Sequence, residues 1–191
     1  MIRIAVFASG AGSNARRLME HFSHHPTARV ALVVCNKPGA GVLEVAAQHG
    51  VPVLLVEKER FFRGDAYLPA LKECHIDLLV LAGFLWKVPP ALIAAYPHRI
   101  VNIHPALLPR HGGKGMYGAH VHAAVLAAGD VESGITIHYV DEQYDHGDTL
   151  FQARCPVLHD DTPERLAERI HALEHLHYPR VVDELAARLD R

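Results

Sequence analysis

Asn102-Ile103-His104-Pro105 closes an apolar run in the middle of the chain. Alternation along a strand puts Asn102 and His104 on the same side. An amide donor beside an imidazole suits one kind of work, stabilising a developing oxyanion while a proton moves. The plain alternative is a polar strand end with a capping histidine, and spacing alone leaves both open. A second candidate is Ser9-Gly10-Ala11-Gly12-Ser13-Asn14, which follows the first apolar run and precedes a helical pattern. Glycine permits the tight turn, and a helix N-terminus offers free N–H groups to an anion, most simply a phosphate. The alternative there is an ordinary strand-to-helix turn capped by Ser13. Gly10, Gly12 and Ala15 satisfy the Ala variant of the dinucleotide fingerprint. The acidic residue that grips a ribose about 20 residues on is missing, since the second run ends Cys35-Asn36-Lys37-Pro38. That counts against a nicotinamide dehydrogenase. A P-loop is excluded because no Gly-Lys-Ser/Thr follows.

Two histidine pairs invite a metal: His120-x-His122, and His171-x-x-x-His175 with both rings on one helix face. Neither has a third ligand or an activating Glu in a known pattern, so no metal is expected. The chain holds 16 His in all, and its charge should swing positive on mild acidification.

These residues need a scaffold, and the apolar pattern supplies one. Continuous β-rich runs at 2–8, 30–35, 53–56, 78–82 and 100–103 are separated by helical patterns at 13–22, 42–48, 65–74 and 90–95. Runs apolar throughout read as parallel strands buried on both faces, joined by crossover helices. This is a doubly wound α/β sheet. Residues 133–140 and 149–157 then predict an antiparallel pair at the sheet edge. Thr162 as N-cap and Pro163 at the first position open a long final helix, which Pro179 should bend or interrupt. No linker or repeat divides the chain, so residues 1–191 are expected to form one domain.

Composition narrows the function. The chain is 50% hydrophobic with a formal net charge of −2, which excludes general disorder and argues against a nucleic-acid binder. No run is long enough to span a membrane and no leader pattern opens the chain. Three dispersed Cys (Cys35, Cys74, Cys155) read as reduced thiols, so a cytoplasmic location is expected.

Four segments together resemble the phosphoribosylglycinamide formyltransferase family, folate-dependent enzymes of purine synthesis. They are the 9–14 loop, Leu81-Ala82-Gly83-Phe84-Leu85-Trp86, the stretch from Asn102 to Pro109, and the stretch from Gly134 to Gly147. The resemblance runs from the first strand to the last helix. It implies transfer of the formyl group of 10-formyltetrahydrofolate to the amine of glycinamide ribonucleotide, with no metal. Asn102, His104 and Asp145 would be the catalytic group, with Asp145 favouring the imidazolium of His104. Gly12, Ser13 and Asn14 would hold the substrate phosphate, and Glu174 would lie near the rest of that substrate. Leu85, Trp86, Lys87 and Val88 would line the pterin pocket, facing Asp141, Glu142, Gln143 and Tyr144. His120 and His122 are expected on the substrate side and His138 near the site. The partners would be small molecules, with the protein a monomer or homodimer. Three positions depart from the family: Trp86 and Gly64 stand where Arg is common, and the 110–118 loop is longer than in well-known bacterial members. Two relatives of similar chemistry, formyltetrahydrofolate hydrolase and methionyl-tRNA formyltransferase, usually carry an extra domain.

Overall fold

The computed structural model describes residues 1–189, so the last two residues of the expected single domain lie outside the described residues. The middle strand of its parallel part is β1 (Ile2–Ala8), apolar except for Arg3 and covered on both faces. Parallel partners flank it: β2 (Ala28–Cys35) and then the short edge strand β3 (Val53–Leu55) on one side, β4 (Leu78–Leu81) and β5 (Ile100–His104) on the other. The antiparallel pair β6 (Glu132–Tyr139) and β7 (Thr149–Pro156) extends the sheet beyond β5, giving the order β3-β2-β1-β4-β5-β6-β7. The five parallel strands and the added pair therefore stand where the apolar runs place them.

Helices cover both faces, as apolar strands require. On one side α1 (Ser13–Phe22), α2 (Gly41–Gln48) and α7 (Pro163–Leu189) bury Leu18, Phe22, Val42, Leu166, Ile170 and Val182 against the sheet. α6 (Ala119–Ala127) adds Val125 to this layer. On the other side α3 (Lys58–Phe62), α4 (Leu68–Glu73) and α5 (Pro90–Ala95) bury Phe61, Leu71 and Leu92 against Phe7 and Leu79. The helix expected over 65–74 is shorter than its pattern, because Pro69 favours the first turn and sets the start of α4. Thr162 accepts the Arg165 N–H at 3.3 Å, the N-cap that its position before Pro163 predicts.

Of the two effects expected of Pro179, interruption does not occur: α7 runs unbroken through it. Proline inside a helix costs about 3 kcal/mol. Here its neighbours Tyr178 and Val182 are wholly buried, at roughly 1.5–3 kcal/mol for a large apolar side chain. The Tyr178 hydroxyl also donates to the Leu81 carbonyl at 2.7 Å. Docking on the sheet outweighs one missing ladder bond.

Candidate active site

The carboxyl ends of β1, β4 and β5 open onto one cavity of about 800 Å³. The sheet is built outward in both directions from β1 and β4, and an open α/β sheet offers a crevice at such a switch point. Gly12 shapes one end. Its φ of 81° is left-handed, and a Cβ there would lie 2.8 Å from the Val42 Cα, so only glycine fits. Gly12, not Ser13, is the N-cap of α1, and no side chain caps that end. The alternative of a Ser13-capped turn is therefore overturned, and the first-turn N–H groups stay available to a ligand. Ser9 fastens this loop to the next strand end: its hydroxyl accepts the Leu85 N–H at 3.0 Å.

The middle of the cavity holds the polar group. Asn102 and His104 end β5, register partners of His138 and Thr136 on β6. His138 Nδ1 lies 2.8 Å from its acceptor, the Tyr139 carbonyl, so the neutral ring carries its proton on Nδ1. Nε2 is then an acceptor and takes an Asn102 amide N–H at 3.2 Å. His104 is fixed the opposite way. Its Nε2–H donates to the His111 carbonyl at 2.8 Å, which leaves Nδ1 facing an Asp145 oxygen at 3.5 Å. The other Asp145 oxygen lies 3.6 Å from His138 Nε2. The turn after β6 brings Asp145 here with a left-handed φ of 53°, a conformation Asp tolerates better than most residues. Gly147 completes that turn, because a Cβ would come 1.9 Å from the Tyr139 oxygen.

Electrostatics correct one expectation. Burial is the largest influence on His104 and lowers its pKa; Asp145 pushes up, as expected, but does not win. The resting ring is therefore neutral near pH 7, not an imidazolium. Burial works against ionisation of Asp145, yet its polar neighbours, among them the Gly113 N–H that donates to it at 3.0 Å, hold its carboxyl below the usual range. A charged carboxylate thus sits against a neutral, protonatable nitrogen.

At the α7 side Glu174 is buried and accepts an Asn14 amide N–H at 2.9 Å. Burial raises its pKa against the Asn14 bond and His171. His122 is also buried and is pushed down to about 4, first by burial and then by His171 and His104. Asn14 Oδ1 and His122 Nδ1 are buried without a hydrogen-bond partner, an arrangement suited to a polar ligand. His122 lines the cavity as expected; His120 is exposed and stacks edge-on with Tyr117 instead.

The far end is apolar and aromatic. Leu85, Trp86, Lys87 and Val88 line it, with Trp86 wedged among Phe61, Phe62 and Phe84 at centroid distances of 5.6, 5.6 and 6.1 Å. Asp141, Gln143 and Tyr144 line the opposite wall, and the Lys87 ammonium lies over the Tyr144 ring. Glu142 is exposed and outside the lining, because Asp141 turns the chain by accepting the Gln143 N–H at 2.7 Å. Neither Arg63 nor Gly64 reaches the cavity lining. Residues not singled out for the site from sequence also line it: Lys37, Lys114, and His171, whose spacing to His175 read only as a metal pair. Those two rings stack, and among the described residues no group of three or more His, Cys, Asp or Glu is placed to hold a metal. No helix among the described residues is long and apolar enough to cross a membrane.

Comparison with known proteins identifies the family of this fold. The formyl transferase family matches residues 2–182. The chloroplastic phosphoribosylglycinamide formyltransferase of Arabidopsis thaliana is 45% identical over 94% of this chain, which spans 64% of that relative's length. The phosphoribosylglycinamide formyltransferase of Bacillus subtilis is 37% identical over 97% of this chain and 95% of its own length. Among solved structures, glycinamide ribonucleotide transformylase 1 from Symbiobacterium toebii superposes with a TM-score of 0.90 at 34% identity, covering 98% of this chain and 88% of its own. A match over almost the whole chain, with relatives up to 45% identical on the same fold, places this chain in the formyl transferase family.

Proposed function

We propose that this chain is a phosphoribosylglycinamide formyltransferase, moving a formyl group from 10-formyltetrahydrofolate to the amine of glycinamide ribonucleotide. The observation that carries the reading is one cavity with a phosphate-type loop at one end, an apolar, aromatic wall at the other, and Asn102, His104 and Asp145 between them. The glycine loop of Gly12, Ser13 and Asn14 takes the phosphate, and Glu174 takes a hydroxyl of the same substrate. The wall of Leu85–Val88 suits a pterin: apolar and aromatic on its face, with backbone groups at its edge. Asp141, Gln143 and Tyr144 close the other side.

The chain's own groups divide the chemistry. His104 Nδ1, neutral and unspent, accepts the proton released as the substrate nitrogen bonds to the formyl carbon. Asp145 steadies the imidazolium so formed. Asn102 has two amide N–H groups; one goes to His138, and the other is free to donate to the formyl oxygen as it gains charge. His104 then returns the proton to the folate nitrogen as its bond to the formyl carbon breaks. No metal takes part. The protein acts as one formyltransferase domain in the cytoplasm.

An absorbance assay of folate release tests this, run with both substrates and with each left out. Folate release only when both are present supports transfer. Release without the ribonucleotide means hydrolysis and no release means a binding protein; either result overturns the reading.

A further inference from the structure

The loop after β5 has its own fastening, and it acts on the catalytic group from behind. His111 Nε2 lies 2.7 Å from an Asp130 oxygen, and the Arg110 guanidinium pairs with the other oxygen of that carboxylate. Asp130 follows α6, 19 residues further along the chain, so the contact joins two separate segments. The His111 backbone is left-handed, with φ 55°, a conformation uncommon outside glycine that histidine tolerates better than most residues. In this conformation its carbonyl accepts the His104 Nε2–H at 2.8 Å. Two residues later the Gly113 N–H donates to Asp145 at 3.0 Å. One short stretch of backbone thus holds both His104 and Asp145, and its side-chain anchor is Asp130.

We propose that Asp130 is a positioning residue: by clasping His111 it locks His104 in the Nε2–H tautomer and keeps Nδ1 turned to Asp145. The kinetic consequence rests on the function proposed above; the tautomer does not. If the clasp loosens, the carbonyl drifts, and His104 is free to place its single proton on either nitrogen. A proton on Nδ1 occupies the lone pair the reaction needs. Arg110 shares the carboxylate but contributes no carbonyl to the site, so His111 is the member that transmits the restraint.

The test is 15N NMR of the histidine rings in the full chain, with His104 assigned by its loss in His104→Gln. The intact protein should show one neutral Nε2–H form at His104. Asp130→Ala should give a mixture of tautomers and a kcat lowered on the order of 10-fold, with KM within about twofold. His111→Ala should do the same, and His111→Gln, which keeps a donor for Asp130, should recover part of both effects. If Asp130→Ala fails to fold, the His111 pair carries the comparison. An unchanged tautomer in Asp130→Ala or His111→Ala overturns the proposal, whatever happens to kcat. A shifted tautomer with unchanged kcat upholds the positioning and instead removes His104 from the reaction.

Discussion

The Asn102 amide nitrogen lies 3.2 Å from Nε2 of His138, across the antiparallel β5–β6 ladder. This bond decides which way the amide points, because the His138 Nδ1–H is already spent on the Tyr139 carbonyl. His138→Phe keeps a ring and removes the acceptor. The loss of such a buried bond costs about 1–3 kcal/mol. Turnover in the absorbance assay should fall roughly 10- to 100-fold, and the urea midpoint should drop with it. Full turnover would show that Asn102 needs no such brace.

Asp145→Asn separates charge from fold. Asn accepts the left-handed backbone at this position about as well as Asp, so the turn survives where Asp145→Ala would strain it. The carboxylate that steadies His104 is gone. Turnover should fall by about 10²–10³, while folate binding, followed by tryptophan fluorescence of Trp86, stays measurable. Near-normal turnover would sink the assigned role.

Gly12→Ala probes the other end of the cavity. The new methyl meets the Val42 backbone and the left-handed turn resists it. Binding of the ribonucleotide should weaken at least about tenfold, the equivalent of 1.4 kcal/mol. Folate affinity should change far less. Calorimetry with each ligand separates the two, and equal losses for both would place the phosphate elsewhere.

Acid should destabilise the fold through its buried histidines. His122 is held at about 4 by burial first, whereas an unfolded histidine titrates near 6.5. Between those values the unfolded chain takes up a proton that the folded chain refuses. Stability is therefore full above pH 6.5 and falls as pH drops towards 4, by at most about 3–4 kcal/mol from this group. His104, depressed in the same direction, adds to the slope. Urea titrations at several pH values measure it, and His122→Asn should flatten the curve. An equally steep curve in that variant would assign the effect to other groups.

Local pattern made much of this molecule legible. Apolar runs placed five parallel strands because strands buried on both faces leave little room for polar residues. Glycines marked the loop at Gly12, where backbone approach allows nothing larger. Contacts distant in sequence were not legible. Nothing near His111 announces Asp130, and nothing near His104 says that burial outweighs its carboxylate neighbour. His171 read as half of a metal pair because helix spacing shows which residues share a face, not what that face meets. That α7 continues through Pro179 was hidden for the same reason: the chain shows the missing N–H but not the sheet beneath the helix.

The strand order has a consequence for which molecules fit. The glycine loop follows β1, and Asn102 and His104 lie on β5, with only β4 between the two strands. Two strand spacings are roughly 10 Å. Sheet hydrogen bonding, not loop movement, sets that separation, so the protein carries a built-in ruler. An acceptor whose anion and amine span the gap reaches both ends at once; one with a shorter or longer spacer grips the loop and leaves its nitrogen out of register with the chemistry.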